Sequence, residues 1–228
     1  MMMSDQDSVR KGTKVYVSRV PYVDPWVSEI SPENIFDSYE SEDPGYLFVW
    51  INKTAGVSVA KAIGVEKDRY NHYTAAELQR ILGRDTYDKM FTFAFVRNPW
   101  DKVYSEFRFR IWTHQNELTQ TASFADWVRA TYVHRDPRYH DWPKMFLPQI
   151  EWLTDEDGRI AVDFIGRFEN LQRDFDRICD SLGKEGISLT HENQSRKNCN
   201  YRDKYDDKTR SIVEDHFKAD IDFFGYQF

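Results

Sequence analysis

The stretch Tyr46–Gly64, YLFVWINKTAGVSVAKAIG, limits the folds open to this chain more than any other. Tyr46 to Ile51 is an unbroken apolar and aromatic run, the pattern of a strand buried on both faces. Asn52 to Ser58 is a short turn holding Lys53, Thr54, Gly56 and Ser58. Apolar residues at 57, 59, 60 and 63 then follow helical spacing. A strand, a turn of small residues and a helix present backbone N–H groups and a helix N-terminus to an anion. Lys53 adds a mobile positive charge, and the Thr54 and Ser58 hydroxyls add donors. The stretch is expected to be a phosphate or sulfate cradle, with an ordinary βα turn carrying a surface lysine as the plain alternative. A Walker A loop reads G-x-x-x-x-G-K-[ST], its lysine after the glycines. Here Lys53 comes before Gly56.

The rest of the chain repeats the alternation of strand and helix. Met90–Val96, MFTFAFV, reads as a second buried strand and runs into Arg97-Asn98-Pro99-Trp100, where Pro99 is placed to open a helix. Ile160–Phe168 reads as a third strand. Thr74-Ala-Ala-Glu77 has capping-box spacing and opens a helix through Leu82, ending at Gly83. Further helices are expected over Ser123–Val133, Met145–Leu153, the stripe Leu171, Phe175, Ile178 and Leu182, and Lys208–Phe217. Thr13–Val20 alternates like a peripheral strand. Three buried strands separated by helices imply a three-layer α/β domain with a central parallel sheet, over residues 45–228. Residues 1–44 form a partly irregular N-terminal extension.

The formal net charge of −7 argues against nucleic acid as a partner. Any anion site is therefore local. No apolar run approaches the 18 residues or so of a membrane span, and the first twelve residues lack the apolar core of a signal peptide. A soluble, cytoplasmic protein is the expectation. The two cysteines, Cys179 and Cys199, have no metal-site spacing, so no metal is expected. Aromatic residues make up 16% of the chain, enough to fill a core or to stack on sugar rings.

Parallel sheets bind ligands beyond the carboxyl ends of their strands. Lys53 follows the first strand, Arg97 the second, and Arg167 lies near the end of the third. Three cations are thus expected along one edge of the sheet.

These residues resemble the sulfotransferases. Lys53-Thr54-Ala55-Gly56-Val57-Ser58 looks like their 5′-phosphosulfate loop. Phe95-Val96-Arg97-Asn98-Pro99-Trp100-Asp101-Lys102-Val103-Tyr104-Ser105 looks like their 3′-phosphate motif. Ile165-Gly166-Arg167-Phe168-Glu169-Asn170-Leu171 and the ending Phe224-Gly225-Tyr226 are similar to the carbohydrate branch, which includes the heparan and chondroitin enzymes. The resemblance implies a P-loop-NTPase-like fold and transfer of a sulfuryl group from 3′-phosphoadenosine 5′-phosphosulfate to an acceptor hydroxyl of a glycan or small compound. It implies that Lys53, Thr54, Ala55, Gly56, Val57 and Ser58 hold the phosphosulfate, and that Arg97 and Ser105 hold the 3′-phosphate. Lys53 is also expected to neutralise charge on the departing oxygen. The 193–201 loop, with Ser195, Arg196, Lys197 and Tyr201, is a candidate cover for the nucleotide.

The acceptor must lose a proton, and a positioned histidine is the usual base. His72, just ahead of the Thr74 helix, is similar in placement to the catalytic histidine of the heparan 2-O- and 6-O-sulfotransferases. His140, in RYHDWPKMFLPQ, is the rival. Arg108, Arg110, Arg135 and Arg138 are candidates for a groove that binds a polyanionic glycan, with solvated helix and loop charges as the equal alternative. The competing readings are a P-loop kinase-like phosphotransferase and a nucleotide- or glycan-binding module without turnover.

Overall fold

A computed structural model describes residues 9–15, 23–37, 39, 45–65, 72–119, 121–184, 186–189 and 200–228. The chain divides into two compact units, residues 1–96 with 149–192 and residues 97–148 with 193–228.

The first unit holds a parallel three-stranded sheet in the order β1 (Tyr46–Val49), β2 (Phe91–Val96) and β3 (Phe164–Arg167). Tyr46 pairs with Phe91 and Phe93 with Phe164, which sets the register. The mixed α/β class and the parallel sheet are as the sequence implies. Tyr46, Phe48 and Trp50 point to one face with Phe93 and Phe95, because successive side chains of a strand alternate. They pack with Val59, Ala60 and Ile63 of the helix Gly56–Ile63 and with Phe175, Ile178 and Cys179 of the helix Leu171–Ser181. The alternate positions Leu47, Val49, Ala94 and Val96 are fully buried too, which explains why the runs are apolar throughout. Phe95 lies across Gly166, where a Cβ would come within 2.5 Å of the ring.

Helix Ala75–Leu82 starts on the expected capping box: Thr74 Oγ1 accepts from the Glu77 N–H and Glu77 Oε2 accepts from the Thr74 N–H. Its other oxygen, Oε1, accepts from the Asp24 N–H at 2.7 Å, so a fully buried carboxylate pins two segments.

The second unit is built on the helix Pro99–Trp112, with Pro at its first turn as expected. Asp207–His216 packs along it, and Phe124–Val128 continues into a π-helical turn over Arg129–Val133. Phe107, Ile111, Trp127, Val213 and Phe217 fill the interior.

Four expectations need correction or narrowing. Met145–Leu153 is not one helix: a 3-10 turn over Pro143–Phe146 and a helix over Gln149–Leu153 are separated at Pro148, which disfavours helix in the residue before it. β3 is shorter than Ile160–Phe168, because Asp163 uses its side chain to accept from Thr92 N–H at 2.9 Å before the ladder begins. A helix over Lys218–Phe224 follows a break at Phe217 and ends at Gly225 in the left-handed region. Of Thr13–Val20, only residues 13–15 are described, with an isolated bridge from Lys14 to Arg159.

Candidate functional site

In the first unit, the chain leaves β1 and turns sharply between Asn52 and Ala55. Lys53 and Ala55 both have left-handed backbone, at φ 65° and 69°. A Cβ makes that region unfavourable by about 1–2 kcal/mol per residue. Such strain persists only where the surroundings impose it, and it concentrates at ligand clamps. Alternation into the left-handed region turns successive N–H groups to one side, the geometry of an anion nest. Ala55 is the N-cap of Gly56–Ile63 and supplies no side-chain cap, so the first-turn N–H groups are not satisfied by its side chain. Ser58 is buried in that turn, and Lys53 is half-buried at its mouth. The Thr54 hydroxyl, expected to face the anion, donates instead to the Ile51 carbonyl at 2.9 Å. Thr54 therefore shapes the turn with its side chain.

His72 belongs to the same unit. Its Nδ1 lies 2.8 Å from the Trp50 carbonyl oxygen. A carbonyl only accepts, so the proton sits on Nδ1 and Nε2 is the basic nitrogen of the neutral ring. The ring lies 5.4 Å from the Trp50 indole and 6.3 Å from that of Trp152, edge-on to the latter. The Trp50 indole also covers Gly56: a Cβ there would fall 1.7 Å from indole Nε1. Trp50 thus touches both Gly56, at the head of the turn, and His72. The sequence offered one signal for it, an aromatic next to the end of the apolar run Tyr46–Ile51 and beside a Gly-containing turn, and that signal is equally one of core packing.

Arg167 ends β3, two strands from β1, so about 10 Å separates those strand ends along the same edge of the sheet. Its backbone N–H donates to the buried Asp174 carboxylate at 2.8 Å.

In the second unit, Arg97 follows β2 directly in the chain and is buried. Its Nε donates to Asp101 Oδ2 at 2.8 Å. Asn98 caps the helix, accepting from Trp100 N–H, and its amide donates to the Gln227 carbonyl at 2.8 Å. Asp101 and Ser105, four apart, share one face of the helix with the Arg97 guanidinium. Lys102, in the same motif, is fully buried 5.7 Å over the Phe217 ring, and burial pulls its pKa down to about 8. His140 stacks on Phe146 at 4.8 Å; burial, then the nearby Arg135, holds its imidazole below the ordinary value.

Of the four arginines offered for a groove, two are held by carboxylates. Arg110 is buried, bound to Glu106 at 2.9 Å and Asp141 at 2.8 Å and stacked on Phe146. Arg138 is paired with Asp136 at 2.6 Å. Tyr201 opens a 3-10 turn, whereas Ser195, Arg196, Lys197 and Cys199 lie outside the described residues. Among the described residues no helix is long and apolar enough to cross a membrane, and no cluster of three or more histidine, cysteine or acidic side chains could hold a metal.

An uncharacterised protein of Archaeoglobus fulgidus is 26% identical over 105 residues, 45% of this chain and 75% of its own. The crystal structure of a sulfotransferase from Alicyclobacillus acidocaldarius covers 89% of this chain and 90% of its own, with a TM-score of 0.38 and 14% identity. The model of the sulfotransferase family matches residues 49–227, which takes in the Asn52–Ser58 turn, His72 and the Arg97 helix, and the chain belongs to that family.

Proposed function

We propose that the protein transfers a sulfuryl group from 3′-phosphoadenosine 5′-phosphosulfate to a hydroxyl of a carbohydrate acceptor, with His72 as general base. The observation that carries the reading is the tie between a strained anion loop and a histidine whose tautomer is set for base catalysis, both made through Trp50. Lys53 and the backbone N–H groups from Lys53 to Ser58, with Thr54, Ala55, Gly56 and Val57 between them, hold the 5′-phosphosulfate. Ser58 adds its hydroxyl. Arg97 and Ser105 hold the 3′-phosphate, since a guanidinium binds phosphate through paired donors and a hydroxyl adds a third. Charge-assisted bonds of this kind contribute about 1.5–3 kcal/mol each.

In the reaction the acceptor oxygen attacks sulfur, and the bond from sulfur to the bridging phosphate oxygen breaks. The acceptor proton passes to His72 Nε2. The electron pair leaves with 3′-phosphoadenosine 5′-phosphate, whose developing charge Lys53 neutralises. The products are a sulfate ester and that bisphosphate.

A neutral sugar is the favoured acceptor. The overall charge is negative, and two of the four candidate arginines, Arg110 and Arg138, are bound to carboxylates, which weighs against a polyanion.

Calorimetry with 3′-phosphoadenosine 5′-phosphate tests the donor assignment. Lys53→Ala and Arg97→Ala are each expected to weaken binding at least about tenfold, the loss of one charge-assisted contact. Unchanged affinity in both, or equal affinity for ATP, overturns it.

A further inference from the structure

Trp50 stands between the two groups the proposed reaction needs, and it meets them with different atoms. Its indole occupies the space over the Gly56 Cα, leaving 2.2 Å from Cδ1 to any Cβ added there. Its backbone carbonyl accepts from His72 Nδ1, and its ring lies beside the imidazole. The indole is buried and stacks on Phe48 at 5.9 Å, which in turn stacks on Phe93 at 5.2 Å. His72 is bounded beyond by the fully buried Trp152, and the backbone two residues on is pinned by the Glu77 carboxylate. A close-packed row of this kind has no slack, so a shift at one end is passed along it.

We propose that Trp50 is a positioning residue that couples the Lys53–Ser58 loop to His72, so that an anion filling the loop aligns the imidazole for proton abstraction. This rests on the reading of the loop as the donor cradle and of His72 as the base. An anion drawn against the first-turn N–H groups moves Gly56, and Gly56 cannot move toward the indole without displacing it. The displacement reaches His72 through the carbonyl bond and the ring contact. The base is then in line only when the donor is bound, so that proton abstraction is geometrically coupled to the presence of a sulfuryl group to transfer.

The test is nitrogen-15 NMR of the histidine side chains, with the His72 signals assigned by their loss in His72→Gln, run beside calorimetry with 3′-phosphoadenosine 5′-phosphate. The free wild-type protein is expected to show neutral His72 as the Nδ1–H tautomer. Ligand is expected to shift the His72 signals more than those of the other five histidines. In Trp50→Phe the ligand still binds, the His72 shift falls by at least half, and kcat drops about tenfold with the donor KM little changed, as for a misaligned group. An Nε2–H tautomer, an unmoved His72 at saturation, or an undiminished shift in Trp50→Phe overturns the coupling. Gly56→Ala supplies a second arm: its Cβ is expected to shift His72 without ligand, and unmoved signals there also overturn it. Absence of binding heat in the wild type overturns the donor reading itself, and the coupling with it.

Discussion

Arg97 is held by Asp101 one helical turn on, with Nε and a terminal guanidinium nitrogen each 2.8 Å from the same carboxylate oxygen. Two contacts to one oxygen fix the plane of the guanidinium fork, and a fork needs its plane set to meet a phosphate with paired donors. Asp101 thus orients the residue proposed to read the 3′-phosphate. Asp101→Ala is expected to weaken 3′-phosphoadenosine 5′-phosphate binding about three- to tenfold, with Asp101→Asn closer to wild type because it still accepts. The measurement is calorimetry against adenosine 5′-phosphosulfate, which lacks the 3′-phosphate and should be bound equally by all three proteins.

His72 and His140 differ in what surrounds them. His72 presents Nε2 as its basic nitrogen because Nδ1 donates to Trp50, whereas His140 stacks on Phe146 in the other unit. His72→Ala is expected to cut the transfer rate about 10²–10⁴-fold, the usual range for a lost general base, and to leave nucleotide binding intact. His140→Ala is expected to stay within a factor of a few of wild type.

Lys102 is buried beside Phe217, and burial lowers its pKa from 10.5 to about 8, against Glu106 and Asp220, which favour the charge. The folded protein gives up this proton near pH 8 and the unfolded chain near 10.5, so between those values the unfolded state binds more protons. Stability from this group therefore rises with pH across that window, by up to about 3 kcal/mol. Denaturant titrations of wild type and Lys102→Met from pH 7 to 10 should show the difference between them moving in favour of the wild type above pH 8. A difference independent of pH would contradict the assignment.

Glu77 is wholly buried and accepts from two backbone N–H groups, at Asp24 and Thr74. Removing the carboxylate strands both donors. Glu77→Ala is expected to cost about 2–6 kcal/mol, the sum of two buried N–H groups left unpaired, against about 1 kcal/mol for Thr74→Ala, which removes one cap. Urea unfolding of the two variants gives the comparison.

Local signals carried much of the fold. The apolar runs at Tyr46 and Phe91 became parallel strands buried on both faces, the strand at Phe164 is only partly buried, and the Thr74 and Pro99 starts held because capping and proline act through neighbouring residues. What was not legible is which of several possible partners a polar side chain takes, even within one helical turn. The Thr54 hydroxyl is taken by Ile51, Arg110 by Glu106 and Asp141, and Arg97 by Asp101. Residue type announces a donor or a cation but not which acceptor claims it. Trp50 was hidden for a related reason: its part comes from a carbonyl and from ring contacts to Gly56 and His72, and neither leaves a motif.

The central claim is sulfuryl transfer from a phosphosulfate donor, and labelled-sulfate transfer from 3′-phosphoadenosine 5′-[³⁵S]phosphosulfate tests it most directly. The panel of acceptors comprises neutral sugars, sulfated glycans, lipids and small alcohols, each offered to wild type, Lys53→Ala and His72→Ala. Label is expected on a neutral carbohydrate with the wild type and to fall at least about a hundredfold in both variants, from loss of charge neutralisation in one and of the base in the other. Label on no acceptor, or transfer undiminished in both variants, would contradict the account.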